Sequence, residues 1–209
     1  MDTHTRPLRD EADLRALLAT TLDLLDPASG GIPYRLVGTA AALLQGVVLP
    51  AGDIDVLFAA REGVDAFAAA FADREARQPP VWLPEAGQYF AEFVLDGVRV
   101  SASTVEHPDG SVFLESGGKG AWRHYVDVRC GSRVVPAVRL ELRLVTELVR
   151  DRPDRRAPIL AHLVRHGADV PLLERALAAA GVPEGRSREV LARVRRSRPL
   201  TPERPRSPR

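Results

Sequence analysis

The chain has 209 residues, 45% of them apolar, with a formal charge of +1 and one cysteine. That length and apolar fraction fit one large or two small packed domains rather than a disordered chain, and the near-zero charge gives no global attraction to nucleic acid. Cys130 alone excludes an internal disulfide and a multi-cysteine metal site, no apolar run approaches the roughly 18 residues of a membrane span, and the N-terminus lacks the apolar stretch of a signal peptide, so a reducing cytoplasm is the expected compartment.

Residues 7–26 are predicted helical, because Leu14, Leu17, Leu18, Leu22 and Leu25 fall on one face, with Pro27 and Gly30-Gly31 ending the helix. A strand over 33–38, a short helix over 39–46 and a second strand over 53–59 follow. Residues 61–76 read as a helix with Val64, Phe67 and Phe71 inward, stopped by Pro79-Pro80. Asp96-Gly97 between the apolar runs 90–95 and 98–104 predicts a hairpin with a two-residue turn. Residues 107–121, rich in Gly, Ser, Asp and Pro, read as a loop, and 122–135 as one or two strands. From Ala137 the period becomes helical, over 137–150, 157–167, 171–180 and 187–195. The expected plan is an α/β (α+β) part over residues 1–136, a helical part over 137–196 and a disordered Arg- and Pro-rich tail over 197–209. Charge is uneven: residues 193–209 hold seven Arg and one Glu, a net +6, which leaves about −5 for the rest.

The most informative pattern is Val37-Gly38-Thr39, followed after a spacer of 13 residues by Asp53-Ile54-Asp55-Val56. Residues i and i+2 of a strand share a face, so Asp53 and Asp55 aim two carboxylates at one spot while Ile54 and Val56 enter the core. Paired carboxylates of this kind hold Mg²⁺ against substrate phosphates. Gly38-Thr39 lies between a strand and a helix start, where backbone can approach a ligand and free N–H groups favour an anion. Together these residues resemble the signature of the polymerase-beta-like nucleotidyltransferase superfamily, across roughly residues 33–105. Thr39 stands where that signature carries Ser or Gly. The chain looks most like the small bacterial members, which include antibiotic-modifying adenylyltransferases and nucleotidyltransferase toxins. The resemblance implies a mixed sheet flanked by helices, a helical C-terminal part beside the cleft, and transfer of a nucleotide from an NTP to a hydroxyl. Asp53 and Asp55 would hold Mg²⁺ or Mn²⁺, and Gly38 and Thr39 the terminal phosphates. The implied acceptor is an antibiotic-like small molecule, with RNA or protein as the alternative.

One departure stands out. Active members carry a third metal-binding carboxylate on the strand beside the Asp-x-Asp strand, and the matching position here is Ser101. A two-residue turn at Asp96-Gly97 would set Leu95 opposite Val98 and Glu92 opposite Ser101, so Glu92 is the candidate replacement, provided the register does not slip. Glu106 is a weaker substitute beyond the strand end. The departure also supports a competing expectation, a nucleotide-binding or scaffold module without catalysis.

Other candidates weigh less. His162 and His166 have helical metal-ligand spacing but no third ligand, so a solvated helix face is the plainer reading. Gly117-Gly118-Lys119-Gly120 lacks the spacing and the following hydroxyl of a phosphate-binding loop, although Lys119, the sole lysine, could reach a phosphate. Arg35, Arg99 and Arg123 could line a cleft or face solvent; Trp82 and Tyr89 could stack on a base or pack in the core. Arg150, Arg152 and Asp154 mark a helix end and receive no role. Cys130 reads as a small buried strand residue, and the Arg-rich tail as a solvated segment that could alternatively contact RNA or an acidic partner.

Overall fold

A computed structural model describes residues 5–29, 31–107 and 109–196; the expected tail over 197–209 lies outside them. In chain order the elements are α1 (Glu11–Ser29), β1 (Tyr34–Val37), α2 (Gly38–Leu44), β2 (Asp53–Phe58), α3 (Arg61–Ala70), β3 (Glu75–Leu83), β4 (Gln88–Leu95), β5 (Val98–Ser103), the single turn α4 (Gly120–Arg123), β6 (Tyr125–Cys130), β7 (Arg133–Val138), α5 (Leu140–Val149), α6 (Pro153–His166), α7 (Val170–Ala179) and α8 (Glu184–Arg195). The strands form one mixed sheet in the order β3-β4-β5-β2-β1-β7-β6. β2 lies at its centre, antiparallel to β1 and parallel to β5, while β1 runs parallel to β7.

The alternation within β2 decides what the sheet does. Ile54, Val56 and Phe58 are buried in the core, and Asp53 and Asp55 emerge on the other face. The apolar side is filled by Leu14, Leu18, Leu22 and Leu25 of α1 and by Val64 and Phe67 of α3. Phe67 stacks on Phe71 with ring centroids 4.4 Å apart, and Phe93 of β4 meets Phe67 edge-on at 5.8 Å. The helical part packs Leu142, Val145 and Leu148 of α5 with leucines of α6 and α7. Among the described residues, no helix is long and apolar enough to cross a membrane.

Three expectations need correction. Residues 75–83 form the strand β3, not the end of a helix with a break at Pro79-Pro80. β3 is an edge strand, and its pairing with β4 shifts register between Gln78 and Val81, so the two missing N–H donors fall where the ladder is already irregular. α1 runs past Pro27 to Ser29, since a proline in the last turn removes only one bond of the ladder. Residue 137 belongs to β7, where Ala137 pairs with Leu36, so the helical segment starts at Leu140. The hairpin is as expected: Asp96 and Gly97 have φ of 50° and 79°, and Leu95 faces Val98.

Candidate active site

The floor of the site comes from two parallel neighbours. Asp53 pairs in register with Arg99, and Asp55 with Ser101. Ser101 Oγ donates to Asp55 Oδ1 at 2.8 Å, and Arg99 Nη2 donates to Asp53 Oδ2 at 2.8 Å. Glu92 lies opposite Ser101, the register the hairpin predicts. Its carboxylate, however, is directed to cations: Arg99 at 3.6 Å and Arg77 at 3.7 Å. One guanidinium, that of Arg99, thus joins Glu92 to Asp53. No group of three or more His, Cys, Asp or Glu among the described residues is arranged to hold a metal.

Asp53 and Asp55 are therefore the acidic set at the floor. Burial, and then the neighbouring charge of Asp53, push the Asp55 carboxyl up to about 6, against the opposing hydrogen bond from Ser101. Two carboxylates held together without full neutralisation, both hard oxygen donors, fit a single divalent ion such as Mg²⁺ or Mn²⁺.

Gly38 forms the adjoining wall. Its φ is +70°, and a Cβ built there would run into Asp55 Oδ2. The expectation of a free N–H at this turn is corrected: Gly38 N–H donates to Glu115 Oε1 at 3.0 Å. Glu115 also accepts from Arg143 Nη1, at 3.0 Å to each oxygen, and from Thr146 Oγ1 at 2.9 Å. Arg143 in turn pairs with Glu147. Burial alone would lower the Arg143 guanidinium, but Glu115 and Glu147 outweigh it and hold it above its ordinary value. Arg143 Nε and Glu147 Oε2 are buried without a hydrogen-bond partner. This network was missed in the sequence. Glu115 lay in a segment read as loop, whereas Arg143 and Glu147, an i,i+4 pair embedded among Leu142, Leu144, Val145 and Leu148, carried a usable signal: a charged pair on an apolar helix face. Gly38→Ala is expected to destabilise by about 1–3 kcal/mol, from the left-handed backbone and the displaced Asp55, and to weaken Mg²⁺ binding; thermal melts with and without Mg²⁺ read both effects.

Above the floor opens a cleft of about 450 Å³. Thr39, almost fully buried, lines it beside Gly38, and Leu57, Phe90 and Val105 add apolar surface. Arg150, Arg152 and Arg155, from the corner between α5 and α6, complete the lining. Arg155 Nε is buried without a hydrogen-bond partner, with Asp154 Oδ2 at 3.9 Å. The site sets Asp53 and Asp55, with Arg99 paired to Asp53, on the sheet and three further guanidiniums on the helical corner.

The remaining candidates lie elsewhere. Glu106 forms a bidentate pair with Arg61, at 2.8 and 2.7 Å. Trp82 and Tyr89 flank that same Arg61, and Tyr89 donates to Asp65. Arg35 lies over the Trp122 and Tyr125 rings. Arg123 and Lys119 are exposed on or beside α4, and neither lines the cleft. The His162 and His166 rings lie against each other, tilted by 38° with centroids 4.3 Å apart. Cys130 is buried in β6.

Comparison with known proteins adds the fold. No family model and no curated protein matches the chain. Among solved structures, a candidate nucleotidyltransferase from Thermotoga maritima superposes with a TM-score of 0.55 at 18% identity, covering 78% of this chain and 98% of its own. An antigenic nucleotidyltransferase-like protein from Paracoccidioides brasiliensis gives a TM-score of 0.48 at 14% identity, covering 89% of this chain and 94% of its own. The Thermotoga likeness is one of fold: the chain has a nucleotidyltransferase fold, with a mixed sheet followed by helices.

Proposed function

We propose that the chain is a nucleotidyltransferase that uses one divalent ion, Mg²⁺ or Mn²⁺, to move a nucleotide from an NTP to a hydroxyl. The observation that carries this reading is the convergence of Asp53, Asp55, the Gly38 turn and three arginines on one cleft. When bound at Asp53 and Asp55, the ion supplies the positive charge that lets triphosphate oxygens approach two carboxylates. Arg150, Arg152 and Arg155 pair with phosphate oxygens, for which planar guanidiniums are suited. Gly38, lacking a side chain, leaves room for Asp55 and for the nucleotide together. Leu57, Phe90 and Val105 exclude water beside the phosphates. The transition state is highly charged, so most of the rate would come from this positioning and electrostatics.

A second reading has its own support. Ser101 stands where a third carboxylate would activate the acceptor, and Arg99 already neutralises Asp53. These features favour a module that binds nucleotide without transferring it. One assay separates the two: the full chain incubated with labelled ATP, GTP, CTP or UTP, Mg²⁺, and small alcohols, aminoglycosides, RNA and protein as acceptors. Metal-dependent transfer that falls at least about a hundredfold in Asp55→Ala supports the enzyme. Nucleotide binding without transfer supports the module, and absence of both removes each reading.

A further inference from the structure

Beside the cleft lies a second cavity of about 250 Å³, between the segment 113–116, α5 and the end of α7. Phe113, Leu142, Val145, Val149 and Ala179 give its lining more apolar than polar surface, and Thr146 adds a hydroxyl. Glu115, Ser116 and Arg150 line both this cavity and the cleft, so the two adjoin at one polar edge. At that edge Glu115 is already engaged by Gly38, Arg143 and Thr146. Both Glu115 oxygens are thus taken up by donors within the fold, so the cavity offers no free carboxylate to a cation.

We infer that this side pocket takes a ring-sized apolar group of a neutral or anionic alcohol, whose hydroxyl then lies at the cleft as the acceptor. The role as acceptor rests on the transfer reaction proposed above. In that transfer the alcohol oxygen bonds to the α-phosphorus, the bond from that phosphorus to pyrophosphate breaks, pyrophosphate leaves and the hydroxyl proton passes to solvent. Size supports the assignment, because an apolar cavity of about 150 Å³ already accepts benzene. The chemistry of the walls supports it too: an apolar pocket with a few polar groups at one end is the usual form of a small-molecule site. Val149, 59% exposed, forms the rim. Arg150 at the shared edge suits an anionic or hydrogen-bond-accepting substituent. A polycationic acceptor such as an aminoglycoside would meet Arg150 and no free carboxylate.

The test uses ligand-observed NMR on the full chain with 2-phenylethanol, and spermidine as the cationic control. Binding of a fluorescent ATP analogue with Mg²⁺ is measured in parallel. Ala179→Phe fills the pocket from an exposed helix position, and Val149→Asp blocks it independently from the exposed rim. The expected result is that 2-phenylethanol binds the wild type, binds at least about tenfold more weakly to both variants, and is preferred over spermidine, while the ATP analogue binds all three proteins alike. Equal binding of 2-phenylethanol to wild type and variants, no binding to any, or a preference for spermidine would overturn the pocket. Failure of the ATP analogue on every protein, with the 2-phenylethanol pattern intact, would remove the nucleotide reading and leave the pocket standing.

Discussion

Asp55→Asn is expected to raise the melting temperature of the metal-free protein at pH 7 by about 5 °C or more. The Asp55 carboxyl is pushed up to about 6 from an ordinary value of 3.8, first by burial and then by Asp53. A carboxyl whose folded value is raised favours the folded state when protonated and opposes it when ionised. Its contribution is therefore intact below about pH 4 and is lost as pH rises through about 6. A shift of that size corresponds to roughly 3 kcal/mol at neutral pH, at about 1.4 kcal/mol per pH unit. Each kcal/mol moves the midpoint of a chain of this length by roughly 2–4 °C. Asparagine keeps an oxygen to accept the Ser101 hydrogen bond and has no charge to bury. The gap between variant and wild type should be almost closed at pH 4, widen between about pH 4 and 6, and hold at its full size above that. Mg²⁺ should raise the midpoint of the wild type and leave the variant almost unmoved. A variant that melts at or below the wild type at pH 7 would show that burial and the Asp53 charge do not oppose ionisation of Asp55 at the floor. Stability gained where function is lost is the usual mark of a site built for chemistry rather than for folding.

How much of this site could be read from the sequence depended on how local each feature is. The alternation Asp53-Ile54-Asp55-Val56 and the Asp96-Gly97 turn are short-range signals, and both the shared face of the aspartates and the pairing of Glu92 with Ser101 followed from them. Where the Glu92 carboxylate goes did not follow. A strand register sets the Cβ positions, but a glutamate has further rotatable bonds, and its cationic neighbours are decided by other strands: Arg77 by an edge strand that Pro79-Pro80 concealed, Arg99 by β5. The parallel pairing that sets Arg99 against Asp53 joins strands separated by α3, β3 and β4, and no local spacing encodes it. Glu115 is the extreme case. It reaches Gly38 across 77 residues from a segment whose glycines and serines read as loop, and the docking of α5 beneath that segment gives it its cation. The arginines at the α5–α6 corner were visible as residues but not as a wall, because their facing surface is a sheet remote in sequence.

The buried triad of Glu115, Arg143 and Glu147 leads to the largest expected loss. Each member is at most 5% exposed, so the single guanidinium offsets two carboxylates with little help from water. Arg143→Met keeps much of the length and apolar stem but removes that charge, and should cost about 3–5 kcal/mol, as breaking a buried pair from one side does. At roughly 2–4 °C per kcal/mol the midpoint should fall by about 10 °C. The pH dependence carries the diagnosis. Carboxylates stranded without a cation take up protons more readily in the folded state, so the variant should regain stability as pH falls and lose it as pH rises. Adding Glu147→Leu should recover a large part of the loss, since it removes the carboxylate that has no other donor; Glu115 retains Gly38 N–H and Thr146 Oγ1. A variant that melts within about 1 °C of the wild type would mean that water, not Arg143, satisfies these groups. The same substitution reaches the cleft, because Glu115 anchors the turn that carries Gly38 against Asp55. Amide exchange at Gly38 should therefore accelerate in Arg143→Met, and Mg²⁺ affinity should fall with it, although no metal-facing carboxylate has been changed.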